Sequence, residues 1–362
     1  METYKNHRVT TIGMEKDKLR SNYLEPIAKV HNEVGPIKPG PDKRDDFATT
    51  FQENRQTLKN LLNEGLTLSC TAGYLKGSCS GGHNFLKAVY CGKEWCENCG
   101  LDGSPVHLRR LGRWIPKAEQ MNGLGYYVIT MPKEIRGFYK NREKLSEFRK
   151  YIVRKLQREG YGRGLVRWHW FGDCRHCKGH GCRYCRNTGI SNQWHPHLNI
   201  IVDGGYISKK TFEAQSEKFK NELIAYFKKH TKTEVNEVVF HYSYVKSKDA
   251  KKRMHLLKYV TRSTHRNYNK EIADLLKGYR TTSSWGKWKF KKVVNTKETE
   301  LVNITNNVCP CCAEKITWDC GHYVTDQVTG LTKYKRTILR LQDIGNMENW
   351  KHIEAGYYLL NN

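Results

Sequence analysis

The chain has 362 residues, with 63 Lys or Arg against 36 Asp or Glu, so its formal net charge is +27. This charge, together with 9 Trp and 21 Tyr interleaved with the basic residues, favours nucleic acid as the partner over other anions. No stretch approaches the roughly 18 apolar residues that span a bilayer, and the polar start lacks a signal-peptide apolar region, so we expect a soluble, cytoplasmic protein with no membrane partner.

The 13 cysteines cluster at short spacings within a large basic chain, which favours metal binding in a reducing cytoplasm over disulfides. Residues 1–65 are polar and contain Gly-Pro breakers, so we expect an arm that is partly helical or disordered. The rest of the chain is predicted to divide into a zinc-binding module at 66–105, a larger domain at 106–290 with a zinc-binding insertion at 173–190, and a C-terminal region at 291–362 with a further zinc site.

The larger domain alternates between strand and helix patterns. Tyr126–Met131 is rich in aromatic and β-branched residues and stops at Pro132, which predicts a strand. The next apolar residues recur at helical spacing. The predicted elements are a helix through Leu145, Phe148, Ile152 and Leu156, strands at Leu165–Phe171 and His197–Val202, a helix through Phe212, Phe219, Leu223 and Tyr226, and a strand at Glu237–Val245.

This βαββαβ order predicts an α+β fold of the ferredoxin-like or RRM-like kind, with an antiparallel sheet. In that plan two helices cover one face of the sheet. We therefore expect the other face to stay free for a ligand.

Three histidines are candidate ligands of a catalytic divalent ion. His195 and His197 alternate along a strand and should share a face, with Pro196 between them pointing away. If this strand forms a hairpin with the preceding strand, which carries His169, then His169 falls opposite the pair and completes a set with open positions for substrate oxygens. The alternative interpretation is surface histidines in a basic protein.

The segment from Ser247 to His265 is predicted to be a helix after the fourth strand. Tyr259 lies one turn from His255 and one turn from Arg262, so we expect its face to be polar and basic rather than core. Cations there would stabilise a phenolate and grip phosphate. The alternative is a tyrosine with its ring in the core and its hydroxyl at the surface.

The segments WHWFGD, WHPHLNIIVDGGYI and LLKYVTRST, with YYVITMP before them, resemble the motifs of the HUH endonuclease superfamily, in particular its single-tyrosine rolling-circle replication initiators of plasmids and viruses. The resemblance covers about residues 120 to 290. Two positions depart from it: Pro196 stands where a bulky hydrophobe is usual, and Arg262 where lysine is normal. Tyr268, Tyr242 and Tyr244 remain alternative nucleophiles to Tyr259.

The resemblance implies an enzyme that nicks single-stranded DNA at an origin. Mn²⁺ or Mg²⁺ held by the three histidines would polarise the scissile phosphate, and Tyr259, assisted by Arg262, would form a 5′-phosphotyrosine link and later rejoin strands. Host helicase and polymerase would be further partners, because the chain has no Walker-type loop of its own. The host would be bacterial or archaeal, with the protein encoded by a plasmid or virus.

Cysteine spacing predicts two to three structural zinc ions. The strongest pattern, C-x2-C-x4-C-x2-C, lies between the strands of His169 and His195 and satisfies a tetrahedral ion. In a second set, Cys70 or His83 could replace Cys79 as the fourth ligand, and in a third Cys311 competes. The three predicted sets are Cys174, Cys177, Cys182 and Cys185; Cys79, Cys91, Cys96 and Cys99; and Cys309, Cys312, Cys320 and His322.

Two other functions remain open. An HUH-type transposase would use the same chemistry on different DNA ends. A non-catalytic zinc-dependent regulator that binds DNA or RNA would use the histidines for another structural zinc.

Overall fold

The computed structural model describes residues 70–361 apart from 97, 186–187, 247, 266–267, 290–298, 320, 326–331 and 336. The predicted arm at 1–65 lies outside these residues. The described strands are β1 (Thr71–Cys79), β2 (Asn84–Tyr90), β3 (Gly123–Thr130), β4 (Gly164–Asp173), β5 (Ile190–Asp203), β6 (Val239–Lys246), β7 (Thr282–Trp285), β8 (Ile316–Trp318), β9 (His322–Thr325), β10 (Thr332–Lys335), β11 (Trp350–Glu354) and β12 (Tyr357–Leu360).

The described helices each begin where the sequence offers a cap or an amphipathic run. Asn141 accepts hydrogen bonds from the amides of Glu143 and Lys144, and Asp249 accepts one from Lys252, so both satisfy first-turn donors. The helices are α1 (Pro105–Glu119), α2 (Arg142–Arg158), α3 (Lys209–Thr231), α4 (Ala250–Thr261), α5 (Lys270–Leu276) and α6 (Thr299–Thr305).

Five strands form an antiparallel central sheet in the order β6-β3-β5-β4-β7. Along the chain, four of these strands and two helices follow as β3, α2, β4, β5, α3 and β6. The α+β class is therefore confirmed, and the predicted strands and helices of this region are present with shifted ends. One face of the sheet packs on α2 and α3 through a core that includes Phe148, Trp168, Trp170, Leu223 and Phe227.

The opposite face of the central sheet is covered, so the prediction that it stays free was wrong. Leu111 and Ile115 of α1 and Leu257 of α4 belong to one buried core with Tyr126 and Ile201 of the sheet. Helix α1 was not predicted, although Ser104 caps it by accepting a hydrogen bond from the His107 amide. Both faces of the central sheet are consequently shielded by helices.

The second sheet joins segments from far apart in the chain, in the order β11-β12-β2-β1-β8. Its inner hairpin, β1 with β2, comes from the predicted module at 66–105, and its other strands come from the region at 291–362. Strands β9 and β10 form a separate hairpin. Within the described ranges, no helix combines the length and apolar character needed to cross a membrane.

Candidate functional site

His169 and His197 face each other across the two central strands β4 and β5. The strand register pairs them directly, as the hairpin order implied, and their ring centroids are 5.3 Å apart. His195 lies beside them, with its ring centroid 5.5 Å from that of His197. All three side chains are buried, at 0%, 1% and 3% exposure for His169, His197 and His195. The sequence-predicted histidines are therefore brought together under a helix rather than at the surface.

Strand β5 carries one extra residue at the histidine pair. His169 pairs with His197, but Phe171 pairs with Trp194, so three residues of β5 span two of β4. This is a β-bulge, and Pro196 suits it because it has no N–H to lose from the ladder. The bulge interrupts the strict alternation from which the shared face of His195 and His197 was predicted.

Two of the imidazoles are held in defined tautomers. His197 Nδ1 donates to the His195 carbonyl at 2.8 Å, and His169 Nε2 donates to the Val260 carbonyl at 2.9 Å. Since a carbonyl only accepts, the opposite nitrogen of each ring carries a lone pair. Those nitrogens, His197 Nε2 and His169 Nδ1, are buried and have no hydrogen-bond partner among the described residues. This arrangement is the one that metal-ligating histidines use.

Burial keeps both rings neutral. It lowers the pKa of His197 to about 4, with Arg262 and Arg136 acting in the same direction, and it lowers the pKa of His169 well below its ordinary 6.5, assisted by the neighbouring His197. Neutral imidazole is the form that binds a metal ion.

Acid should therefore destabilise the protein in a way that depends on His197. Between pH 6.5 and 4 the unfolded chain protonates this histidine while the folded chain does not, so the free energy of unfolding falls as pH is lowered. We expect His197→Asn to reduce that slope by up to about 1.4 kcal/mol per pH unit. Urea unfolding at several pH values, without added Mn²⁺ or Mg²⁺, measures it. His230→Asn, at an exposed position, is the control. If His197→Asn leaves the pH dependence of the free energy of unfolding unchanged, His197 is not the buried, neutral histidine that causes it.

Tyr259 lies in the last turn of α4, against the histidines. Its ring centroid is 5.9 Å from that of His169, and the guanidinium carbon of Arg262 is 4.3 Å from the Tyr259 centroid. The predicted polar face was wrong, because Tyr259 is only 6% exposed and packs in the core between the sheet and α1. Helix α4 also ends at Thr261, and Arg262 follows it in extended backbone rather than on the helix.

Asp173 is a site residue that the sequence interpretation missed. Its Oδ1 is 2.5 Å from Arg262 Nη2, and both side chains are 9% exposed. The pKa of Tyr259 is raised by burial and by the Asp173 charge, while the Arg262 charge opposes that rise. Its position at the end of WHWFGD, beside the candidate metal ligand Cys174, was the available signal. Asp173 thus fixes the cation that rests on the tyrosine ring.

The alternative tyrosines lie elsewhere. Tyr242 packs on Tyr127 and Phe212 on the α2 and α3 face of the sheet, and Tyr244 is two residues further along the same strand. Tyr268 is 66% exposed, with its ring 6.2 Å from that of Trp95. Of the four candidate nucleophiles, Tyr259 is the one whose ring contacts a histidine of the trio.

A buried carboxylate network connects the loop between Cys91 and Cys96 to the segment after α4. Glu94 Oε1 lies 2.5 Å from Arg167 Nη2 and 3.4 Å from Arg110 Nη1. Its Oε2 accepts from the Thr264 amide at 3.3 Å. Arg167 in turn donates to the Arg262 carbonyl at 3.2 and 3.1 Å. Glu94 therefore fixes the backbone immediately beyond Tyr259, and it too was missed by the sequence interpretation.

Three groups of four cysteine or histidine side chains could each hold a metal ion, and thiolate-rich sets of this kind suit structural zinc. In each group, every ligand atom lies within 4.8 Å of the others. In the described part of the chain the three histidines of β4 and β5 do not form such a group, so one shared ion would require their rings to approach further. The groups are Cys174, Cys177, Cys182 and Cys185; Cys70, Cys91, Cys96 and Cys99; and Cys79, His83, Cys309 and Cys312.

The first group matches the predicted set, and the other two correct the predicted pairing. Cys70 takes the place predicted for Cys79, whose Sγ instead lies 3.6 Å from Cys312 Sγ and 3.4 Å from His83 Nδ1. The sequence could not show this because Cys79 and Cys312 are 233 positions apart. Cys320 and the His322 side chain lie outside the described residues. Cys311 is exposed and does not belong to a group.

Zinc content will test this pairing. We expect three zinc ions per wild-type chain. The double variant Cys79→Ser with Cys309→Ser should lose one ion, because both residues serve one group, whereas Cys79→Ser with Cys91→Ser should lose two. Inductively coupled plasma mass spectrometry of the purified proteins measures the stoichiometry. If instead Cys79→Ser with Cys309→Ser loses two ions and Cys79→Ser with Cys91→Ser loses one, the grouping predicted from the sequence is correct.

Comparison of the chain with protein-family models, with curated proteins and with solved structures finds no match.

Proposed function

We propose that this protein is a replication initiator endonuclease that nicks single-stranded DNA at an origin and rejoins strands. One observation carries the proposal. His169 and His197 oppose each other on central strands with buried, partnerless ring nitrogens, and Tyr259 lies against them. Covalent phosphoryl transfer requires a nucleophile, a cation near it and a metal ion, and Tyr259, Arg262 and the histidines would supply these three parts.

The fold supports the same proposal. Numbering the strands of the βαββαβ unit 1 to 4 in chain order gives the sheet order 4-1-3-2. This order is compatible with the ferredoxin-like or RRM-like plan that we propose for an HUH nuclease core. The cysteine group Cys174 to Cys185 is then an insertion in the hairpin that carries the histidines. Helices α1 and α4, which lie outside the βαββαβ unit, cover the histidine face of the sheet.

Mg²⁺ prefers oxygen ligands and imidazole nitrogens are softer donors, so of Mn²⁺ and Mg²⁺ we propose Mn²⁺ for these three histidines. Bound by His169, His195 and His197, the ion would polarise a non-bridging oxygen of the scissile phosphate. The carbonyls of His195 and Val260 orient the two rings whose free nitrogens remain available.

Tyr259 then supplies the nucleophile. Its phenolic oxygen forms a bond to phosphorus, loses its proton, and the bond from phosphorus to O3′ breaks, so that O3′ takes up a proton and leaves as a free 3′-hydroxyl. Arg262, held by Asp173, stabilises the negative charge as it develops on the phenol and the phosphate. Because the phosphodiester energy is conserved in the 5′-phosphotyrosine, the step can run backwards and rejoin strands.

A labelled single strand incubated with protein and Mn²⁺ tests the proposal. The polarity of the reaction predicts that a 3′-end label becomes attached to protein and survives denaturation, whereas a 5′-end label appears on a shortened, protein-free product. Omitting Mn²⁺ and Mg²⁺ should abolish both products. His197→Ala should do the same, with His230→Ala as the exposed control.

The outcomes also separate the other functions. Strand binding without adduct, across a pool of sequences that includes origin strands, would overturn the proposal in favour of a non-catalytic zinc-dependent regulator. Adduct restricted to transposon-end sequences would identify the HUH-type transposase instead.

A further inference from the structure

The insertion between β4 and β5 covers residues 174–190, of which 186 and 187 lie outside the described residues, and its described part presents a positively charged surface with an exposed aromatic ring. It contains four Lys or Arg residues and no Asp or Glu. The side chains of Arg175, Lys178 and Arg183 are exposed, and so is Tyr184, at 56%. A ring that is half in water on so small a unit is available to a partner.

This aromatic ring is held in a fixed position. Tyr184 stacks on His176, with 4.2 Å between centroids and 24° between the planes. Arg183 lies 4.9 Å from the Tyr184 centroid and donates to its hydroxyl at 2.9 Å. Both aromatic residues alternate with the four cysteines of the group, so a bound ion would fix them further. The ring is therefore preorganised, which lowers the entropy that a ligand must overcome.

The surface continues towards the histidines. Asp173 pairs with Ile190 at the base of the insertion, four residues along β4 from the pair formed by His169 and His197. At the rise of a strand this is about 13 Å, or roughly four nucleotides at stacked spacing. Arg136 lies beside this stretch, because its carbonyl accepts a hydrogen bond from Trp194 Nε1 at 3.2 Å and Trp194 pairs with Phe171, midway between His169 and Asp173 on β4. Cations thus line the path from the insertion to the site.

We propose that this insertion binds single-stranded DNA beside the scissile phosphate, stacking an unpaired base on Tyr184 and contacting phosphates through Arg175, Lys178 and Arg183. The inference deepens the proposed function and depends on it. Single strands fit because stacking on an exposed ring requires an unpaired base, while the cations complement the backbone. A protein partner is disfavoured, because the insertion offers it no acidic side chain to pair with and one exposed tyrosine ring to pack against.

Fluorescence anisotropy with a labelled 30-nucleotide single strand, in buffer without Mn²⁺ or Mg²⁺, tests it. Tyr184→Ala should weaken binding about 5- to 150-fold, the range that one stacked base contributes, and Tyr184→Trp should preserve binding. Tyr206→Ala is the matched control, because Tyr206 is 62% exposed but follows the opposite end of β5. The zinc content of each variant is measured as well. An unchanged value shows that the insertion is still folded, so that weaker binding reports the loss of the Tyr184 contact with DNA.

The assay distinguishes failure of this inference from failure of the proposed function. If Tyr184→Ala binds as wild type, or if duplex DNA binds better than single strands, the inference is overturned even when adduct forms. If adduct never forms but Tyr184→Ala still weakens binding, the DNA surface stands and the nuclease proposal falls. With an active enzyme, Tyr184→Ala should raise the strand concentration needed for half-maximal adduct formation and leave the rate at saturation within about twofold.

Discussion

Tyr259→Phe is expected to abolish the covalent protein–DNA adduct, with a loss of at least about a thousandfold, because it removes the oxygen proposed to attack phosphorus, and of the four candidate tyrosines Tyr259 is the one whose ring contacts a histidine. The ring keeps its packing between the central sheet and α1. The free energy of unfolding should therefore change by less than about 1.5 kcal/mol, the size of one hydrogen bond. Gel analysis with a 3′-labelled strand, and urea unfolding of the same preparation, measure the two effects.

Matched substitutions make this result specific to one tyrosine. Tyr242→Phe and Tyr268→Phe should retain adduct near the wild-type level, since neither ring lies at the histidines. Strand binding by Tyr259→Phe, measured by anisotropy, should persist because the backbone-contacting cations remain. Undiminished adduct in Tyr259→Phe, or its loss in Tyr268→Phe instead, would refute the assignment of the nucleophile.

Glu94→Gln is expected to lower the free energy of unfolding by about 3 to 5 kcal/mol, because it removes the carboxylate that pairs with the buried charges of Arg110 and Arg167. Burial raises the pKa of Glu94, but the two guanidinium groups together outweigh it and hold that pKa below its ordinary 4.5. The carboxylate's contribution is thus fully present at neutral pH and is lost as pH falls below about 4.5.

The matched control for Glu94→Gln is Glu147→Gln, a substitution of the same chemistry in an exposed pair with Lys144. Its effect should stay within about 0.5 kcal/mol, and the difference between the two variants should appear in urea midpoints at pH 7. Glu94→Gln should also weaken adduct formation under conditions where the protein remains folded, because Arg167 anchors the Arg262 carbonyl. A loss of stability below about 1 kcal/mol would show that the network does not hold this segment.

Local sequence patterns were sufficient for much of the fold. The helical spacing of Leu145, Phe148, Ile152 and Leu156 predicted α2, because each of these residues meets the same core. The hairpin order was sufficient to place His169 opposite His197, since adjacent strands joined by a compact insertion pair in register. The helix prediction depends on residues close together in the chain, and the histidine prediction depends on two strands that are consecutive in the chain.

The remaining features depend on contacts that a local pattern does not encode. The buried environment of Tyr259 arises because α1, 140 or more residues earlier, packs over α4, and the cysteine pairing depends on the second sheet bringing Cys79 to Cys312. Asp173 and Glu94 look like ordinary charged residues of a polar sequence until the folded chain places guanidinium groups around them. Such charges are recognisable only once their burial is known.

The arrangement of the second sheet has a consequence for biosynthesis. Strands β1 and β2 are translated before β8 and β12, which pair with both of their outer edges and lie more than two hundred residues further along the chain. Until then the hairpin has two unpaired edges and half of a thiol cluster, which is a state prone to aggregation. Chains that terminate before β8 should therefore be removed by proteolysis or chaperones.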